Sequence, residues 1–414
     1  MVMGLRRRQI LFIIGMAAGG IVAGAAHSLL NSSNANNADR NLDLSSDRSP
    51  EVNSSQQSTT NDPEQLSQQT NTANRKSKRG DKIAPEGLYA PERGDVRIVV
   101  ISDLNSAYGA TDYGDEVKKA IALAPQWQPD IVLSGGDMVA GQTILSPEEI
   151  QAMWDGFEKH VGKPIRDAGL PFGFTIGNHD ASSWRSPDGG YLFALEREMA
   201  SAYWQDPAHS PNLNFVDRAG FPFYYTFAHN DIFYLVWDAS SDRIPDEQIA
   251  WAEQSLASDA AQAAKMRIAI GHLPLYAVAV DRDRLGEVLA NADQLRALLE
   301  KYNVHTYISG HHHAYFPGYR GKLDMLHAGA IGDGPRVLLN SSLPTMKTVT
   351  VVDVFFDNND TVYTTYNMAD MSVVDHQTLP RMIVGPNGTI LRQGVSWSDL
   401  SAAEQASSPH GWED

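Results

Sequence analysis

The chain has 414 residues and no cysteine. Disulfide bonds, zinc–thiolate sites, iron–sulfur clusters and thiol nucleophiles are excluded together, and the redox compartment cannot be read from cysteine usage. Positive charge is scarce too. Thirty-three Lys and Arg face 50 Asp and Glu, a formal charge of −17, so the basic face that a nucleic-acid partner needs has no support in the chain as a whole. The first 82 residues hold ten basic and seven acidic residues, leaving 23 against 43 for residues 83–414. An enzyme of that charge acting on an anionic substrate needs locally concentrated positive charge, which a bound metal ion supplies most simply. Internal repeats are also absent. The 42% of hydrophobic residues is enough for a large packed core and excludes global disorder.

Arg6, Arg7 and Arg8 precede a run from Ile10 to Leu30 that is apolar apart from His27 and Ser28, the pattern of an export signal. Arg7-Arg8 followed by Gln9, Ile10 and Leu11 is similar to the twin-arginine motif. A general secretory signal and an uncleaved anchor are the alternatives, because about 20 apolar residues also span a bilayer. All three put the remainder outside the cytoplasm, periplasmic or secreted, with membrane contact only through residues 1–30. Residues 31–82 are dominated by Asn, Ser, Gln and Thr and cannot bury enough apolar surface to offset chain entropy, so they read as a disordered linker.

From about residue 83 the pattern alternates. Residues 96–102, 131–134, 172–176, 232–237, 267–270, 304–309 and 348–356 are short and rich in β-branched or aromatic residues, as strands in a covered sheet are. Helical spacing runs over 116–124, 147–168, 191–204, 246–261 and 293–302, with Ser146, Pro147 and Glu149 forming a helix start. A hairpin is expected around Asn358-Asn359. The reading is one α/β domain over 83–414 containing a second sheet.

Five of the strands end in polar residues. Asp103 follows RIVVIS, Asp137 follows IVLSGG, Asn178-His179-Asp180 follow FGFTIG, His272 follows RIAIG, and His311-His312-His313 follow HTYISG. In α/β sheets ligands bind outside the carboxyl ends of the strands, so these ends are expected to converge. Carboxylates, imidazoles and an amide without thiolate suit Mn, Fe, Zn or a similar divalent ion. His312 is expected to face away from its neighbours by strand alternation, and His305 and His327 read as structural. Trp127, Trp154, Trp204 and Trp251 read as core.

The ordered set Asp103-Leu104-Asn105, Gly136-Asp137, Gly177-Asn178-His179-Asp180, Gly271-His272 and Gly310-His311-His312-His313 resembles the calcineurin-like metallophosphoesterases, whose blocks are D-x-H, G-D, G-N-H-D/E, G-H and G-H-x-H. The resemblance implies a four-layer αββα sandwich of two mixed sheets and two divalent metal ions. It implies that Asp137 bridges both ions, that Asp103 and His313 complete one shell, and that Asn178, His272 and His311 complete the other. His179 would stand off the metals near the leaving group, oriented by Asp180. Two such ions, about 3.5 to 4 Å apart, clamp a phosphoryl group and hold a hydroxide for in-line attack.

One block departs from the pattern. Asn105 stands where the family has histidine, so if it ligates it does so through a neutral amide oxygen, a weaker donor than imidazole. Purple acid phosphatases, which also lack that histidine, carry a tyrosine where Ala140 stands here. Tyr108 and Tyr113 lie in the same loop as Asn105, where loop tyrosines more often pack than contact metal or substrate. The expected activity is hydrolysis of small phosphomonoesters or phosphodiesters outside the cytoplasm. The competing expectation is a tethered phosphate-binding or scaffolding protein with an impaired first metal site. Oligomeric state is not legible.

Overall fold

The computed structural model describes residues 77–409 and 412. The expected export segment and residues 31–76 of the expected linker lie outside the described residues. Residues 78–82, expected to belong to the linker, already pack on the domain: Gly80 N donates to Arg93 O at 2.8 Å and Lys82 bridges Glu92. Among the described residues no helix is long and apolar enough to cross a membrane.

Fourteen strands follow in chain order: β1 (Val96–Ile101), β2 (Ile131–Ser134), β3 (Phe172–Phe174), β4 (Phe215–Gly220), β5 (Tyr224–His229), β6 (Ile232–Val236), β7 (Met266–Ile270), β8 (Thr306–Ser309), β9 (Tyr315–Arg320), β10 (Leu323–Ala328), β11 (Thr348–Phe355), β12 (Asp360–Asn367), β13 (Met382–Gly385) and β14 (Gly388–Arg392). One sheet has the order β12-β11-β1-β2-β3 and the other β13-β14-β9-β10-β8-β7-β6-β5-β4. Both are mixed. β1, β2 and β3 run parallel, as do β6, β7, β8 and β10, while the remaining pairs are antiparallel. Helices flank the two sheets in an α/β sandwich.

β1 reads VRIVVI and is buried at every position, as a strand covered on both faces must be. Its Arg97 is fully buried and still satisfied: Nε and Nη2 donate to Asp353 at 2.8 and 3.0 Å, and the remaining donors reach the carbonyls of Ile83, Pro91 and Trp127. This closed network ties the segment before β1 to the sheet, and a buried guanidinium is tolerated because it is fully paired. The sheets meet face to face through Tyr225 of β5, whose hydroxyl donates to Phe174 O at 2.6 Å. Trp154, Tyr203 and Trp204 cover β3 from outside, with Trp204 stacked on Phe174 at 3.9 Å between centroids. Trp251 is not core; it is half-buried, and its indole N–H donates to Asp217 at 2.9 Å.

Two expected helices are interrupted. The run 147–168 holds a π-turn at Glu158–Gly162 between Pro147–Phe157 and Lys163–Asp167, because Pro164 has no N–H to continue the ladder and its ring needs room in the preceding turn. The run 246–261 breaks at Ser258, whose hydroxyl caps a second helix by accepting from Ala261 N at 3.3 Å.

Candidate metal centre

The carboxyl ends of β1, β2, β3, β7 and β8 come together where the two sheets abut. Asp103 N donates to Gly136 O at 2.9 Å and Gly310 N to His272 O at 3.0 Å, stitching strand ends that are far apart in sequence. The approach is close enough to require glycine. A Cβ on Gly177 would lie 2.1 Å from Asp137 Oδ1, and one on Gly310 would lie 2.3 Å from Ser102 Oγ and 2.6 Å from Asp103 Oδ2. Four of the sequence-identified residues adopt left-handed backbone: Asp103 at φ 51°, Asp137 at 53°, His311 at 64° and His313 at 52°. Such a conformation costs a non-glycine residue about 1 kcal/mol or more, and it clusters where function fixes a side chain.

The hydrogen bonds decide what the side chains face. His272 Nδ1 lies 2.8 Å from Gly135 O, so Nδ1 carries the proton, and Nε2 points at Asn178 Oδ1 at 2.9 Å and Asp137 Oδ2 at 3.3 Å. His311 Nε2 lies 2.9 Å from Glu287 Oε2, which leaves Nδ1 facing the same Asn178 Oδ1 at 2.8 Å. His313 Nδ1 lies 3.1 Å from Gly334 O, and its Nε2 faces Asp103 Oδ1 at 3.2 Å. Asn178 donates Nδ2–H to Gln142 Oε1 at 2.7 Å, so its oxygen is the atom turned toward the histidines. Each imidazole spends one N–H outward and turns its other nitrogen toward an oxygen that has only lone pairs to offer, so a proton or a cation must stand between them. This donor set of two carboxylates, three imidazoles and an amide oxygen fits divalent metal ions taking the place of those protons. One ligand atom each of Asp103, Asp137 and His272 lie within 4.8 Å of one another, all buried. Among the described residues the buried Asp137 Oδ2 has no hydrogen-bond partner and faces His272 Nε2 at 3.3 Å, and Oδ1 accepts from His179 N at 2.9 Å.

The sequence model of the calcineurin-like phosphoesterases matches residues 96–315, from β1 through the last of these histidines. The chain belongs to the calcineurin-like phosphoesterase family. Members of that family hydrolyse phosphoester bonds and generally bind two divalent metals. A comparison with curated proteins gives no match. Solved structures that resemble the fold include a purple acid phosphatase from yellow lupin (Lupinus luteus) seeds, at 19% identity and a TM-score of 0.47 over 69% of this chain and 55% of that one. Others are GAP50, an inner-membrane-complex anchor of Plasmodium, at 14%, 0.42, 68% and 87%, and a putative 5′-nucleotidase of Staphylococcus aureus at 14%, 0.38, 68% and 56%. The chain thus spans little more than half of the lupin and staphylococcal proteins.

Burial and charge set the protonation of this phosphoesterase site. Burial raises the Asp137 carboxyl, but the His272 charge and the hydrogen bond from His179 N outweigh it and hold the group below the ordinary carboxylate range. His272 is the counterpart: burial opposes its charge, yet the Asp137 carboxylate pushes it up to about 9. Burial lowers His311 well below the usual imidazole value, with Arg282 adding to the effect. His179 is lowered by burial as well. A divalent ion competes with protons for these nitrogens.

The expected role of Asp180 needs correction, while His312 and His327 stand as expected. Asp180 does not orient the His179 ring: its carboxylate accepts from Val139 N and Gly177 N, both at 2.8 Å, and locks the Asn178–Ala181 turn onto the loop of Asp137. The ring is held instead by Gly141, whose carbonyl lies 3.0 Å from Nδ1. Asp180 sits at the third position of its helical turn, where a carboxylate reaches back to the preceding N–H. Tyr113 is buried and donates to Met138 O at 2.6 Å, so it packs beneath the loop, whereas Tyr108 is exposed with its ring 5.3 Å from that of His179. Asn105 is buried at the site, and its backbone oxygen accepts from Asp333 N at 3.0 Å. His312 lies off the cluster, its Nδ1 accepting from Val278 N at 3.2 Å and its Nε2 bonded to Glu287 O at 3.0 Å. His327 is buried between the carbonyls of Phe316 and Tyr276.

Glu287, Gln142 and Gly141 were not singled out in the sequence. Glu287 sits in the irregular segment RDRLGE, where its carboxylate is shared by Arg282 Nη1 at 2.5 Å and His311. A lone carboxylate within a loop carries no periodic signal. Only the approach of that loop to β8 makes it the partner of a histidine.

Proposed function

We propose that the chain hydrolyses small phosphoesters at a dinuclear centre, with Asp137 shared between two ions, Asp103 and His313 on one, and Asn178, His272 and His311 on the other. The observation that carries this reading is that three imidazoles each turn a nitrogen toward Asn178 Oδ1, Asp137 Oδ2 or Asp103 Oδ1 in one buried cluster. Asn105, buried beside Asp103, contributes at most an amide oxygen to the first ion. Two divalent ions supply Lewis-acid polarisation of the phosphoryl oxygens and lower the pKa of the attacking water.

The residues around the centre hold and move protons. The Glu287 carboxylate fixes His311 with its proton on Nε2, so that Nδ1 is the free donor atom. Gln142 does the same for Asn178 by taking its Nδ2–H. Gly141 O accepts a hydrogen bond from His179 Nδ1–H and leaves Nε2 for the substrate. Burial keeps that imidazole neutral in the free protein, and an anionic phosphoester beside it raises its pKa, making Nε2–H a proton donor to the departing oxygen. A residue with that role is of use in turnover and of little use in mere anion binding, which favours an enzyme over a scaffold. The Arg7-Arg8 pattern supports action outside the cytoplasm; replacement by Lys-Lys should block a twin-arginine route while sparing a general secretory one.

The test is metal content and turnover measured together. Purified protein should hold up to two divalent ions and cleave a chromogenic monoester or diester, and Asp137→Asn should lose both properties. Turnover near the wild-type rate in that variant, with both ions retained, would sink the assignment.

A further inference from the structure

We propose that Tyr108 is a positioning residue for His179, its ring keeping the imidazole turned toward the departing oxygen of the substrate. The proposal rests on the hydrolytic reading of the centre, in which His179 Nε2 gives that oxygen its proton.

Asp180 is committed to backbone N–H groups, so the His179 ring has one hydrogen bond, from Nδ1–H to Gly141 O at 3.0 Å. A ring tied at a single atom can tip about that bond, and its Nε2 forms no hydrogen bond among the described residues. The Tyr108 ring limits the tipping. Its centroid lies 5.3 Å from that of the imidazole, with the planes at 40°, a spacing inside the range of about 4.5–7 Å over which aromatic rings attract.

Both rings hang from one stretch of backbone. Gly109 N, next to Tyr108, donates to Ala140 O at 2.7 Å, and Gly141, which accepts from the imidazole, also donates its N–H to His179 O at 2.9 Å. The Tyr108 loop is pinned on either side of that contact. Leu104 N donates to Asp137 O at 2.9 Å, and the Tyr113 hydroxyl donates to Met138 O at 2.6 Å. Gly109, at φ 76°, makes the turn that follows Tyr108, in a conformation glycine adopts without steric cost. Tyr108 is 51% exposed, and its hydroxyl has no hydrogen-bond partner among the described residues. An exposed tyrosine is by itself ordinary. Here the loop is held by other groups, the hydroxyl holds nothing, and the ring rests on the imidazole, so the ring contact is what the side chain contributes.

The leaving group separates positioning of a proton donor from other roles. 4-Nitrophenolate departs without a proton, whereas an alkoxide needs one. Metal-loaded full-length protein is therefore assayed with ethyl phosphate and 4-nitrophenyl phosphate, and with their methyl diesters. Tyr108→Ala should lower kcat for the ethyl ester by about three- to tenfold, the scale of one aromatic pair, and change that for the nitrophenyl ester by less than about twofold. KM and metal content should stay as in wild type. Tyr108→Phe, which keeps the ring, should match wild type on both esters. In a His179→Ala background Tyr108→Ala should cost nothing further, because it acts through the imidazole. Modification of His179 by diethyl pyrocarbonate in metal-stripped full-length protein, followed by peptide mass spectrometry, reads the contact without turnover and should be faster in Tyr108→Ala. Equal loss on both esters, no loss on either, a loss in Tyr108→Phe as large as in Tyr108→Ala, or an unchanged modification rate overturns the assignment of Tyr108. Wild-type protein that holds its metal and cleaves none of these esters overturns the hydrolytic reading, and the proposal falls with it.

Discussion

Replacing Glu287 tests whether His311 ligates through Nδ1. In the folded protein Glu287 Oε2 lies 2.9 Å from His311 Nε2 and is held by Arg282, with Arg284 3.5 Å from the other oxygen. A carboxylate pinned by two guanidinia cannot follow the imidazole if it turns, so it fixes both ring orientation and tautomer. In Glu287→Ala the neutral ring is free to place its proton on Nδ1, and that tautomer cannot ligate. Loss of such an outer partner weakens metal binding by about 10- to 100-fold, or roughly 1.4 to 2.8 kcal/mol. Glu287→Gln keeps an oxygen within reach but loses the charge, so it should fall near the lower end. The assay is titration of metal-stripped protein with Mn²⁺ by calorimetry or electron paramagnetic resonance. Only the ion held by Asn178, His272 and His311 should weaken, while the ion at Asp103 and His313 keeps its affinity. Thermal melts of the metal-free proteins control for unfolding. Glu287→Ala protein that binds both ions as tightly as wild type would refute the argument.

Three further outcomes are expected. His179→Ala should lower turnover by about 10² to 10⁴ with metal content unchanged, the range for a lost proton donor; loss of metal in that variant would make the residue a ligand. Asn105→His should tighten the ion at Asp103 and reduce the dependence of activity on added Mn²⁺, since imidazole is the stronger donor; no change in dialysis-resistant metal would leave Asn105 a structural residue. Glu196 is buried, bonds Gln142 N at 2.8 Å and is pushed up to about 8 by burial. Its folded pKa lies above its unfolded one, so stability should fall as pH rises from about 4.5 to 8, by about 1.4 kcal/mol per unit. Glu196→Gln should flatten the urea-unfolding profile between pH 6 and 8 relative to wild type, and two parallel profiles would contradict that.

Much of the site was legible because strand ends punctuated by Gly and followed by Asp, Asn or His break the hydrophobic pattern at fixed places. β1 and β2 are runs of Val, Ile and Leu, β7 (MRIAI) and β8 (TYIS) are short and largely apolar, and the ends of all four needed no tertiary information to locate. The outer part of the larger sheet was not legible. β9 contains Pro317 and Gly318, which speak against a strand, yet it pairs with β10 throughout and with β14 at Gly318 and Tyr319; Pro317 takes part only through its carbonyl, which accepts from Gln393 N at 2.8 Å, at the end of that pairing where its missing N–H is tolerated. β4 alternates half-buried and exposed residues and reads as loop. Around the metal centre, ligand types could be read while their supports could not. Gln142, Gly141 and Glu287 act through a side-chain amide, a carbonyl and a loop carboxylate, each placed by folding and none marked by spacing. The family resemblance implies that Asp180 orients His179, whereas the helical turn sends its carboxylate back to backbone N–H groups.

The most direct test of the dinuclear centre is anomalous scattering at the Mn edge from crystals of the Mn²⁺-loaded protein. Two peaks are expected, about 3.5 to 4 Å apart, with Asp137 between them, Asp103 and His313 on one, and Asn178, His272 and His311 on the other. A single peak, peaks held by other residues, or no peak at saturating Mn²⁺ would contradict the account.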